Sequence, residues 1–401
     1  MRRAFSNSMG LAAMVGLVLA LVAPAVALFA PALAQAETEE QAKDEGPRSP
    51  LRWVAETESP RSAQPTGPLY RACGGRDLGL VSVAAQIVRR RLRGMPPPSE
   101  RQLETLLRAS GVPQVFPRAW SLRGDHGDEV IATKLGGWLA KRPPAGHRRC
   151  GIARGTDAEG VPVVVVVTVD AFADQAALPT RARVSKWLRL EAALHVPAHD
   201  AKVVLLGPRG RPKRVLASLS GDTVRSRFML DAPGRWLVQV VADLSSGPQP
   251  VLESTVWVDR DPPDTLPEEL PTAAGTAAPK PSALFTLLNR SRQKEGLPPL
   301  HRDQKLDRIA RDHAAAMMTA RRAAHDVGQG PPTERVERAG LVVHRVGENV
   351  ASAPTVARVH EALWDSPSHR ENMLDASFRR TGVALAIDRT GQLWAVQLFS
   401  E

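Results

Sequence analysis

Trp364-Asp365-Ser366-Pro367-Ser368-His369-Arg370-Glu371-Asn372-Met373-Leu374 is the stretch that decides how the last third of this chain reads. It is taken with Ala323-Ala324-His325-Asp326 upstream and Gly347-Glu348-Asn349-Val350-Ala351 between them. Each segment holds one side chain able to ionise or ligate, His325, Glu348 or His369, beside a turn or helix-end signal. Two imidazoles and a carboxylate brought to one cleft can bind a metal or move protons.

Around these segments the apolar spacing is helical. Leu284, Leu287 and Leu288 mark a helix that Ser282 caps and Gly296 ends. Leu306, Ile309, Ala310, His313 and Met317 mark a second. Thr333 to Ala339, closed by Gly340, is a short third, and Val356, Val359 and Leu363 define a fourth. Then Gly382–Ile387 and Leu393–Phe399 read as two strands across an Asp388-Arg389-Thr390-Gly391 turn.

Together these motifs resemble the CAP superfamily (cysteine-rich secretory proteins, antigen 5 and pathogenesis-related 1 proteins), in its bacterial SCP-like branch. The resemblance covers residues 282–401, less than a third of the chain. It implies an α-β-α sandwich with a cleft of two His and two Glu, in which the imidazoles hold a divalent metal. His325 matches the first His, Glu348 of Gly-Glu-Asn the first Glu, and His369 the second His. Pro367 stands where the second Glu belongs, as in the bacterial branch, and no spacing favours Glu371 or Asp365 as a substitute. The implied cofactor is therefore a weakly bound divalent metal such as zinc, since two protein ligands are fewer than the three usual at a catalytic zinc.

Two functional readings follow. In one, the cleft binds an envelope or extracellular ligand: a lipid, a glycan or a peptide. In the other, a metal-polarised water activated by Glu348 hydrolyses peptide or cell-wall bonds. Asn349 and Asn372 read as hydrogen-bonding braces of the cleft and Trp364 as its packed support. Glu348 has a plainer alternative, capping the segment that follows it and pairing with His325 or His369. His313 falls on an apolar helical stripe and reads as a satisfied core residue, and His344 and His360 read as surface residues. There is no serine elbow, Gly-rich phosphate loop, His-Glu-x-x-His or Cys-x-x-Cys.

The rest of the 401 residues implies a multidomain α+β chain. Arg2 and Arg3 precede an apolar run from Gly10 to Leu33 that ends in small residues. Residues 1–36 read as a signal peptide, which places the protein in a secreted or periplasmic compartment; uncleaved, the run is a membrane anchor. Residues 37–67, charged and rich in Pro, Ser and Thr, read as a disordered leader. Cys73 and Cys150 are the two cysteines, and one disulfide between them or two free thiols are the two readings.

A net charge of +11 favours an anionic envelope polymer or lipid as partner, with a small apolar ligand as an alternative. The run Arg89-Arg90-Arg91-Leu92-Arg93 has no interleaved aromatics and reads as a solvated helix end, not a nucleic-acid site. Residues 183–260 carry short strands divided by Gly and Pro turns, the pattern of an all-β, immunoglobulin-like sandwich acting as a spacer or binding module. One of those strands is Arg214–Ser218. The Pro-rich stretch 261–281 reads as a linker.

One further pattern lies in residues 68–175. His147-Arg148-Arg149-Cys150-Gly151 through Asp157 and Gly160 to Val165 aligns without gaps to Phe378-Arg379-Arg380-Thr381-Gly382 through Asp388 and Gly391 to Val396. This α+β segment reads either as a degenerate CAP-like copy without the site residues or as a chance likeness of two hairpins, since Gly and Asp favour any turn.

Overall fold

The computed structural model describes residues 51–59, 67–141, 144, 146–268 and 279–401. The signal-peptide expectation for residues 1–36, and the parts of the leader and linker at 37–50, 60–66 and 269–278, lie outside the described residues. Among the described residues no helix is long and apolar enough to cross a membrane.

The C-terminal domain comprises α5 (Pro281–Lys294), β16 (His301–Arg302), α6 (Gln304–Ala320), α7 (Pro332–Arg338), β17 (Val346–Ala353), α8 (Val356–Asp365), α9 (Pro367–Met373), β18 (Arg380–Ile387) and β19 (Leu393–Ser400). Earlier strands are numbered from the N-terminus below. The sheet runs β16-β18-β19-β17. Every residue of β19 is buried, because helices cover both faces of the sheet. Trp394, Val396 and Leu398 face α6 and α7 in one core, while Leu393, Ala395 and Phe399 face α5, α8 and α9 in another. The period-two alternation of a strand sorts its side chains between the two, giving an α-β-α sandwich.

Gly382 lets α6 lie on the sheet: a Cβ there would come 2.2 Å from the Leu306 carbonyl carbon. Asp303 caps the same helix, accepting from Lys305 N at 2.8 Å and Leu306 N at 3.1 Å.

The N-terminal domain repeats this design. Its elements are β1 (Glu56–Thr57), α1 (Gly67–Cys73), β2 (Gly75–Arg76), α2 (Leu78–Leu92), α3 (Glu100–Ala109), β3 (Arg118–Arg123), α4 (Asp128–Ala140), β4 (His147–Thr156) and β5 (Pro162–Ala171). The sheet order β2-β4-β5-β3 matches β16-β18-β19-β17 strand for strand, including the parallel first pair. A Cβ on Gly151 would come 1.9 Å from the Leu80 carbonyl carbon, as Gly382 does with Leu306. Asp77 caps α2 by accepting from Leu80 N at 2.9 Å. Asp157 Oδ1 accepts from Glu159 N and Val161 N, and Asp388 Oδ1 from Thr390 N and Gln392 N. The valine run of β5 is buried on both faces, as strands covered on both sides are. A disulfide joins Cys73 of α1 to Cys150 of β4.

Between these domains lie β6 (Ala173–Gln175), β7 (Leu178–Pro179), β8 (Arg181–Ala182), β9 (Trp187–Leu194), β10 (Asp200–Leu206), β11 (Lys213–Val215), β12 (Ala217–Ser220), β13 (Thr223–Met229), β14 (Gly234–Leu244) and β15 (Gly247–Val258). Two sheets, β11-β10-β14-β15-β8 and β12-β13-β9-β6, close on one core.

Several expectations need correction. The leader is ordered over 51–59: β1 pairs with β7, and Leu51 is buried in the core beneath α2. Part of the linker is also fixed, because Leu266 packs on that core and Pro267 O accepts from Gln102 Nε2 at 3.0 Å. Pro-rich composition marked both stretches as loose, whereas single apolar side chains anchor them. The central strands begin at Ala173, not 183, since β6 pairs with β9. Arg214–Ser218 is not one strand: Leu216, 93% exposed, crosses between β11 in one sheet and β12 in the other. Ser282 is not a cap; Lys280 holds that place without a side-chain bond, and Pro281 starts α5.

Candidate functional site

Glu348 lies inside β17, not beside a turn. β17 is the edge strand of its sheet and pairs only with β19; Glu348 is opposite Leu398, so its side chain lies on the face covered by α6 and α7. His325 comes from the loop after α6. Glu348 Oε1 accepts from His325 Nδ1 at 2.9 Å.

The third partner is Arg335 of α7, which the sequence reading missed. Its Nη2 donates to Glu348 Oε1 at 3.0 Å and Oε2 at 2.8 Å, and to the His325 carbonyl at 2.9 Å. Arg335 Nε donates to Gly330 O at 3.1 Å, and Asp326 Oδ1 folds the same loop by accepting from Gly328, Gln329 and Gly330 N. Arg335 and its neighbour Val336 are both buried, which the charged run around them does not signal.

His313 is fully buried on α6, bonded through Nε2 to Ala324 O at 2.9 Å and through Nδ1 to Gln329 Oε1 at 3.1 Å. It also stands 3.8 Å from Glu348 Oε1, so it braces the His325 loop from below.

Glu348 is therefore a saturated carboxylate. Burial alone would raise its pKa, but the His325 hydrogen bond and the Arg335 charge outweigh that and hold it below the usual carboxylate range. A carboxylate so stabilised is a poor proton acceptor. What it does is orient the His325 ring through its Nδ1–H, as a carboxylate orients a ligating imidazole.

His369 sits in α9, where burial first, and the neighbouring His325 second, push its pKa down to about 3. It is neutral across the physiological range and offers a lone pair. Asn349 holds it in place: Asn349 Nδ2 donates to His369 O at 3.0 Å and to Gln397 Oε1 at 3.2 Å. Asn372 Nδ2 donates to Glu348 O at 3.1 Å and Asn349 Oδ1 at 3.0 Å. Trp364 stands apart from this network, packed on the α5–α8 core with Arg370 4.1 Å over its ring and His360 stacked at 6.2 Å. His344 is exposed, but His360 is half-buried and bonded to Ser291 Oγ at 3.0 Å.

The central domain closes on this site. Gly247, at the β14–β15 turn, is so near His325 that an added Cβ would lie 3.7 Å from the His325 Cβ. Gln239 Oε1 of β14 accepts from Ser368 N at 3.0 Å. Glu371 pairs with Lys202 at 2.7 Å and Arg214 at 3.1 Å. Glu371 thus serves the domain contact rather than the place left by Pro367, and Asp365 lies 3.9 Å from Arg101 and Arg370.

For a metal, the candidate donors are the imidazoles of His325 and His369. Among the described residues no group of three or more His, Cys, Asp or Glu side chains is disposed to hold an ion.

Among its described residues, the N-terminal domain has no carboxylate at the position that corresponds to Glu348. Counting along the two hairpins from Cys150 and Thr381, Val167 corresponds to Leu398. Leu398 pairs with Glu348, whereas Val167 pairs with Ala119.

Residues 285–399 match the cysteine-rich secretory protein (CAP) family. The uncharacterized protein YkwD of Bacillus subtilis is 31% identical over 117 residues, covering 29% of this chain and 45% of that protein; the chain spans under half the length of this curated relative. An extracellular SCP-domain protein of Bacillus anthracis aligns at 17% identity over 57% of this chain and 86% of that one, TM-score 0.29. The cysteine-rich secretory protein SAV1118 of Staphylococcus aureus aligns at 11% identity over 57% and 85%, TM-score 0.26. These whole-chain similarities are low, and the assignment of a C-terminal CAP domain rests on the match over 285–399.

Proposed function

We propose that the CAP domain of residues 285–399 makes this an exported binding protein, whose His325/Glu348/His369 cleft takes an envelope or extracellular ligand and weakly holds a divalent metal. The observation that carries this reading is the saturation of Glu348 by Arg335 and His325. A hydrolytic base needs a free lone pair near neutral pKa, whereas this carboxylate is committed to orienting an imidazole. The bound metal would polarise a ligand oxygen; His325 and His369 would hold it, and Asn349 and Asn372 would keep His369 in register.

The N-terminal domain is read as a degenerate CAP-like copy, supported by its shared strand order, glycine contacts and hairpin turn. The central sheets are read as the spacer that holds both domains. Incubating the full chain with isolated envelope material tests the function. Retention of an envelope component without turnover is the expected result; bond cleavage abolished by Glu348→Gln would establish the hydrolase instead.

A further inference from the structure

A second site lies at the far end of the central domain, and it does not depend on the CAP cleft. A groove of about 650 Å³ opens between the Gly207–Lys213 and Asp231–Trp236 turns and the chain from Trp257 to Pro263. Its wall is built from indoles. Trp236 is 3% exposed, held by Nε1 donating to Ala232 O at 2.9 Å. It is seated against Gly207, where a Cβ would come 2.8 Å from its ring. Trp257 is half-buried and meets Trp53 edge-on at 5.6 Å. Its Nε1 is enclosed, with no hydrogen-bond partner among the described residues.

The rim is cationic. Arg209, Arg211, Lys213 and Arg260 line it, against Asp231 and Asp261. Lys213 is spent on Asp231. Asp261 is 97% exposed and reaches only Arg181, at 3.8 Å. Arg211 gives one Nη2 to Glu295 O at 3.1 Å. Arg209 and Arg260 are exposed and make no ion pair among the described residues. Three guanidiniums therefore keep uncompensated charge around one groove.

We infer that this groove binds an acidic oligosaccharide, a chain bearing uronate or sulfate groups. Guanidiniums grip such oxyanions through paired N–H donors. Sugar hydroxyls and C–H groups between the charged groups suit a lining of Gly, Pro and Trp. Stacked nucleobases fit poorly, because stacking needs an open aromatic face, whereas Trp236 is closed in by Gly207 and Lys213. A flat anionic membrane fits poorly because the cationic residues surround a groove rather than a flat face.

The test uses the full chain and a heparin-derived octasaccharide, with neutral dextran, a single-stranded oligonucleotide and phosphatidylglycerol vesicles alongside, read by titration calorimetry at two salt concentrations. The octasaccharide should bind in a salt-dependent manner, and Arg209→Gln with Arg260→Gln should weaken it about tenfold through lost charge-assisted bonds. Trp257→Phe should weaken it further without altering the salt slope, since it changes only the uncharged wall. Arg389→Gln, an exposed arginine on the CAP hairpin turn, should leave it unchanged. The inference fails if the groove variants bind as the parent does, if Arg389→Gln weakens binding equally, or if dextran, oligonucleotide or vesicles bind as tightly.

Discussion

Gln239 of the central domain and Ser368 of the CAP domain are joined by a 3.0 Å hydrogen bond one residue before His369. The same Gln239 donates through Nε2 to Glu253 Oε2 at 2.9 Å, and Glu253 Oε1 lies 3.6 Å from Arg108 Nε on α3. One polar chain therefore runs from the N-terminal domain through β15 and β14 to the helix that carries a site imidazole. Glu371, two residues beyond His369, is tied to Lys202 and Arg214. The CAP helix is thus positioned partly by another domain.

Removing this brace should loosen α9 without unfolding the chain. Gln239→Ala with Glu371→Gln should cost about 1–2 kcal/mol at the contact, since the pairs are partly solvated. The check is hydrogen exchange: amides of α9 should exchange faster while those of β5 stay protected. Unchanged α9 protection would mean the domains do not brace one another.

The Glu348–Arg335 pair should be costly to break from one side. Glu348→Ala leaves Arg335 buried and uncompensated, with an expected loss of about 3–5 kcal/mol in denaturant unfolding. Replacing both residues with leucine should cost clearly less than the sum of the single replacements, measured as a double-mutant cycle. Additive losses would show that the pair is not coupled.

Gly151→Ala and Gly382→Ala should have matching effects, because each Cβ would enter helix backbone, at Leu80 and at Leu306. Each should cost at least about 3 kcal/mol, beyond ordinary overpacking. Gly160 and Gly391, at the corresponding hairpin turns, have open space beside them and positive φ of 77° and 83°. Alanine there should cost about 1 kcal/mol. Unequal responses at the two buried glycines would break the equivalence of the two domains.

Stability should fall on mild acidification. Burial, with Lys294 nearby, lowers the His360 pKa to about 4, below that of the unfolded chain, so the unfolded state binds the extra proton. The His360 contribution is complete above about pH 6.5 and is lost as pH falls toward 4. His360→Asn should flatten that part of the curve of unfolding free energy against pH by about 2 kcal/mol, allowing for partial exposure. An unaltered slope would exclude His360 as a contributor.

Much of this was legible in the chain because the cues are local. The Asp-x-x-Gly turns exposed the hairpin echo, and helical spacing located α6 and α8. Glu348 was found by its motif, yet its setting in an edge strand was not, since Gly-Glu-Asn carries no strand periodicity. Arg335 was missed because a lone arginine in a short charged helix gives no sign of burial; only the fold sets it opposite Glu348. The anchoring of Leu51 and Leu266 was likewise hidden, because single apolar residues in Pro-rich stretches acquire meaning only from the core they reach.

The central claim is that His325 and His369 form a weak cation site oriented, not activated, by Glu348. Zinc titration of the full chain, metal-stripped beforehand, tests it directly. The account predicts weak single-site binding, abolished in His325→Ala/His369→Ala and reduced about 10–100-fold in Glu348→Gln, as loss of an orienting partner does. Full affinity in the double histidine variant would contradict it.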